Sequence, residues 1–131
     1  MRLQIVACLA SAVLLGIDLG AAAAAPVQSE NDWIERAEAL VAAARGHADA
    51  ATFQREVQAH RERLREIVRA AGSTPPPQRR QLHVSMMLLN ALLKSASDCH
   101  RAGRITCPAE LLRQLEAQVA MARAQLKALS G

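Results

Sequence analysis

The chain has 131 residues, with 16 Lys or Arg against 12 Asp or Glu and a net charge of +4. That length holds one domain at most. Trp33 and Phe53 are the only aromatic residues, too few to stack successive bases, so the basic balance points to anionic surfaces or acidic protein partners rather than to nucleic acid.

The first segment, MRLQIVACLASAVLLGIDLGAAAAAP, has the layout of a secretory signal peptide. Arg2 supplies the positive start, Ile5 to Ile17 the apolar run, and Ala22-Ala23-Ala24 the small side chains that fit a signal peptidase. Cleavage after Ala25 would leave Pro26 in first position, so residues 1–24 are expected to be removed and residues 25–131 to form the mature chain. Retention as a membrane anchor is disfavoured, because Asp18 interrupts the run short of the roughly 20 residues that span a bilayer. Cys8 precedes most of the apolar run, which is the wrong place for acylation. Losing Arg2 and Asp18 leaves 15 basic and 11 acidic residues, still a net +4. The expected location is periplasmic or secreted.

Four helices are predicted in the mature chain, over about 30–45, 50–71, 78–102 and 108–129. Ser29 and Asp32 resemble a capping pattern for the first, in which Trp33, Ala37, Leu40 and Ala44 recur at steps of four and three. Gly46 ends it. Asp49 is suited to cap the second, which carries Phe53, Val57, His60, Leu64, Ile67 and Ala71 on one seam, and Gly72 stops it. Ser73 to Pro77 is a stiff connector whose last proline suits a first helical turn. The third helix places Leu82, Met86, Leu89, Leu93 and Ala96 on its seam and breaks at Gly103. Cys107-Pro108-Ala109-Glu110 reads as cap, first-turn proline and first-turn acid of the fourth, whose seam is Leu112, Leu115, Val119, Ala122, Leu126 and Leu129.

No stretch alternates with period two for long enough to argue a strand. The three-and-four rhythm, in segments joined by short turns, predicts an all-α, up-down-up-down antiparallel four-helix bundle. The alternative is three helices with a loosely docked first helix, since that segment is short and Ala-rich.

Once Cys8 leaves with the signal, Cys99 and Cys107 remain, and an even count in an oxidising compartment predicts a disulfide. Closing so short a loop would stabilise the fold by about 2.5 kcal/mol. A metal or redox role for Cys99, His100 and Cys107 is disfavoured, because the spacing is neither C-x-x-C nor accompanied by a fourth ligand.

Two features break local rules. Arg79 and Arg80 stand where the positive end of a helix macrodipole disfavours cations. Antiparallel packing would gather them with Arg65 and Arg69, which lie with Arg61 at spacings of four. That cluster is a candidate contact for an anionic group or an acidic partner, against the plainer reading of a solvated charge run. The second feature is the width of the apolar surface on the third helix. Val84, Met87, Leu88 and Ala91 fall outside the seam; the plainer reading is the widening expected of a helix that touches two neighbours, the sharper one a partner groove or homodimer face.

His60 sits on the seam of the second helix, level with Met86 and Met87. A His–Met pair in a bundle is a candidate haem or metal site. The plainer reading is a buried histidine bonded to a neighbour such as Glu56, and the absence of a C-x-x-C-H signature favours it. His83 and His100 fall beside the seam and receive no role. No G-x-S-x-G turn, carboxylate pair or cofactor motif is recognisable. The expectation is therefore a non-enzymatic exported protein without cofactor. It would bind another exported protein or an anionic envelope component, as an adaptor, inhibitor, sensor or chaperone-like factor.

Overall fold

The computed structural model describes residues 27–46, 49–101 and 107–130. The expected signal peptide over 1–24 and the break at Gly103 lie outside them. The described residues form four α-helices and no strand, as expected: α1 over 27–45, α2 Ala50–Ala71, α3 Pro77–Arg101 and α4 Ala109–Ser130. None of these helices is long and apolar enough to cross a membrane.

Local chemistry sets the ends of these helices. The Asp49 carboxylate accepts the Thr52 N–H at 2.9 Å and the Thr52 hydroxyl at 2.8 Å, satisfying an orphan donor of the first turn of α2. Those two bonds, the hydroxyl's first, hold its carboxyl below the usual carboxylate range. Gly72 closes α2 with φ 82°, a conformation that suits glycine, and its N–H returns to the Arg69 carbonyl at 3.2 Å. Pro77 opens α3, where a missing N–H costs nothing. The start of α1 differs from expectation. The helix already runs at residue 27, so Ser29 lies inside it and does not cap it.

Contacts between helices give the topology. Trp33 in early α1 meets His60 at the middle of α2, and Phe53 in early α2 meets His100 at the end of α3. Gln118 of α4 bonds the Ser85 carbonyl of α3. Arg123 bonds Asn31 and pairs with Glu38, and Arg45 pairs with Glu116, so α4 runs back along α1. Each successive pair is antiparallel, and α1 closes the ring between α2 and α4. This is the expected bundle.

The seams are the core. Phe53, Val57, Leu64, Leu82, Met86, Leu89, Leu93, Ala96, Leu115, Ala122 and Leu126 are buried. In α1, Ile34 and Val41 are buried beside Trp33, Ala37, Leu40 and Ala44, a stripe two positions wider than its four-residue seam. The loosely docked alternative is thereby corrected: α1 is an integral wall of the core.

The expected disulfide is not shown. Cys99, near the end of α3, and Cys107, just before α4, approach to 2.7 Å, longer than the about 2.05 Å of an S–S bond. The Cys107 thiol is directed at the Ala96 carbonyl, 3.6 Å away. The two residues are adjacent, but that separation does not support the expected disulfide.

Candidate functional site

Two buried polar assemblies set the register of the bundle. In the first, Trp33 Nε1 donates to the His60 carbonyl at 2.9 Å, while His60 Nε2 bonds the Trp33 carbonyl, also at 2.9 Å. A carbonyl only accepts, so Nε2 carries the proton. The rings stack with centroids 3.8 Å apart. The partner of His60 is thus a backbone group on α1, and the expected Glu56 contact is replaced. Burial lowers the imidazole pKa to about 4, which keeps the ring neutral. Nδ1 is buried with no hydrogen-bond partner. Met86 is buried in the core, whereas Met87 is exposed. Among the described residues no three His, Cys, Asp or Glu side chains converge to hold a metal.

In the second assembly, the fully buried Glu30 carboxylate receives Arg79 Nε at 3.1 Å and Arg79 Nη2 at 3.3 Å. His83 Nε2 lies 2.6 Å from the same carboxylate. Arg79 is therefore turned inward as the partner of a buried anion. Its position near the start of α3, unfavourable for a lone cation, suits a carboxylate held at a helix N-terminus. Neither Glu30 nor His83 was singled out by periodicity alone. Glu30 stands three residues before Trp33 and seven before Ala37, and that register carries the seam back onto it.

The remaining arginines stand elsewhere. Arg61, Arg65 and Arg69, one per turn of α2, border a groove of about 430 Å³ between α2 and α3. Leu64, Val68, Met87 and Asn90 complete its lining. Arg65 pairs with Glu62 at 3.2 Å. Among the described residues, Arg61 and Arg69 have no carboxylate within salt-bridge distance. Arg80 is exposed, and its guanidinium donates to the Pro75 carbonyl at 3.4 Å.

Beside this groove runs the outer face of α3. Val84, Met87 and Leu88 are 47, 46 and 54% exposed, and Ala91 is also exposed. Steps of three and four place these four residues on a single stripe, and Arg80 heads it, four residues before Val84. Met87 belongs to both stripe and groove. The structure thus joins two features that the sequence presents separately: an apolar stripe on α3 and an arginine ladder on α2, with Arg79 removed from the set. The arrangement offers dispersion contact and charge side by side, on rigid helices.

No family model, no curated protein and no solved structure matches this chain.

Proposed function

We propose that this protein is an exported helical binding module that acts by protein–protein contact rather than by catalysis, through the α3 stripe and the adjoining arginine groove. One observation carries the reading. Val84, Met87 and Leu88 leave three large apolar side chains in solvent within two turns, while the seams on either side of them are packed. Each such side chain, about half exposed, forgoes roughly 1 kcal/mol of burial. A contiguous exposed apolar stripe rimmed by charge is characteristic of an interaction surface. The arginines add attraction for an acidic partner and speed its encounter.

The signal-like segment supplies the compartment in this reading. Export would bring Cys99 and Cys107 into contact with oxidised thiol–disulfide donors, and the adjacent pair would then close as the staple that the cysteine count suggests. The intact mass of protein recovered from the native extracytoplasmic fraction tests both points. Loss of residues 1–24 and of two hydrogens supports them, and the full-length reduced mass opposes them.

The binding surface is tested by placing a photo-crosslinking amino acid at Leu88 or, as control, at exposed Ala39 on α1, in the native host. A saturable adduct of one defined stoichiometry at position 88 and absent at position 39 supports the proposal. Adducts of equal yield at both positions, or at neither, overturn it.

A further inference from the structure

The groove and stripe also point to the kind of partner. Resting on the binding role proposed above, we propose that the occupant is an acidic amphipathic helix of another protein. Its apolar edge lies on Val84, Met87, Leu88 and Ala91, and a row of its carboxylates faces Arg61, Arg65 and Arg69.

The match is geometric first. Residues four apart on a helix lie about 6 Å apart along its axis, so Arg61 to Arg69 is a cation ladder about 12 Å long. Carboxylates at every fourth residue of a guest helix repeat at the same spacing. The stripe from Val84 to Ala91 spans about 10 Å, so about three turns of guest helix cover both features. Helices read by such grooves are anchored at steps of three and four.

Charge then selects among occupants. Arg61 and Arg69 have no acidic partner among the described residues, and Arg65 shares only the exposed Glu62. A guest carboxylate can therefore bond the first two without displacing an existing ion pair. A second copy of this chain is a poor fit, because groove against groove would set one arginine ladder against another. A lipid surface is also a poor fit. Interfacial binding scales with the apolar area buried, and three large side chains already half buried, with one alanine, supply little of it.

The test uses the mature protein and synthetic helical peptides of about 18 residues sharing one leucine edge. One peptide carries Glu at every fourth flanking position, one Gln and one Lys. Fluorescence anisotropy of the labelled peptides reads affinity. The Glu peptide should bind about five- to tenfold tighter than the Gln peptide, a preference that 0.5 M salt largely removes. Arg61→Glu with Arg69→Glu should transfer the preference to the Lys peptide while the circular dichroism stays unchanged. If that variant misfolds, the salt dependence of the wild-type protein decides alone.

Equal affinity for the Glu and Gln peptides, with both lost in Leu88→Lys, would overturn the acidic partner and leave the binding surface standing. Absence of binding by any peptide would also overturn it, and the crosslink at position 88 then decides the broader reading separately. Binding to phosphatidylglycerol vesicles that the Glu peptide does not compete for would assign the groove to membranes instead. Self-association abolished by Leu88→Lys would assign it to a second copy.

Discussion

His83 Nε2 lies 2.6 Å from the Glu30 carboxylate, joining the start of α1 to the start of α3 across the inside of the bundle. With Arg79 on the same carboxylate, the three groups satisfy one another where water does not reach Glu30. Removing the anion alone strands a cation and an imidazole. Glu30→Leu is therefore expected to cost about 3–5 kcal/mol in urea unfolding at pH 7. The combined Glu30→Leu, Arg79→Met and His83→Leu variant should recover most of that loss, because no unpaired group remains. A triple variant as unstable as the single one would show that the assembly contributes more than mutual satisfaction.

His60 makes stability depend on pH in a defined direction. Desolvation lowers its folded pKa to about 4, reinforced by the charges of Arg63 and Arg36 and opposed by its bond to the Trp33 backbone. An unfolded histidine titrates near 6.5. Between those values the unfolded chain binds the extra proton, so the contribution of His60 is complete above pH 6.5. It is lost as pH falls from 6.5 towards 4, by up to about 3 kcal/mol. Unfolding free energies of wild type and His60→Gln should therefore converge as the pH is lowered through this window. Parallel curves would contradict the assignment.

Trp33 is the single tryptophan, and its buried indole is bonded to α2. Its fluorescence consequently reports the docking of α1. In a urea titration the fluorescence and far-ultraviolet dichroism transitions should coincide, as they do for one cooperative unit. A fluorescence change preceding the loss of helicity would restore the picture of a loosely docked first helix.

The ends of α2 differ in how they tolerate substitution. Asp49→Ala removes an acceptor from Thr52 and should lower the melting temperature, whereas Asp49→Asn keeps an acceptor oxygen and should lower it less. At Gly72 an added methyl group meets nothing within 4 Å, so the cost of Gly72→Ala is conformational alone, about 1–3 kcal/mol for a positive φ with extended ψ. Thermal melts of the three variants check both expectations.

The bundle was legible in the sequence because burial on a helix leaves a periodic trace. Leu82, Met86, Leu89, Leu93 and Ala96 were placed in the core by spacing, and all five are fully buried. Outside that seam, spacing alone does not tell a second packing edge from a partner face at Val84, Met87, Leu88 and Ala91; all four are exposed. What periodicity does not carry is the identity of a distant partner. His60 was placed on the inside correctly, but its partner lies 27 residues away on α1. Glu30 reads locally as an ordinary first-turn acid, and only contact with residues 49 and 53 positions further along shows why a carboxylate is buried there. The same gap explains Arg79, whose cation is unfavourable by local rules and whose counter-ion lies 49 residues away. For the cysteines, the even count predicts a disulfide; the two residues are adjacent, but their 2.7 Å approach is not a disulfide distance.

The adjacent residues Leu88 and Leu89 separate binding from folding most directly, since one faces solvent and the other is fully buried. Stability and recovery of the native crosslinked complex should be measured together for Leu88→Lys and Leu89→Ala. A binding role for the stripe predicts that Leu88→Lys changes stability by less than about 0.5 kcal/mol and abolishes the complex. Leu89→Ala should lose about 2–5 kcal/mol. A Leu88→Lys protein that keeps its partner, or that unfolds as Leu89→Ala does, would contradict the account.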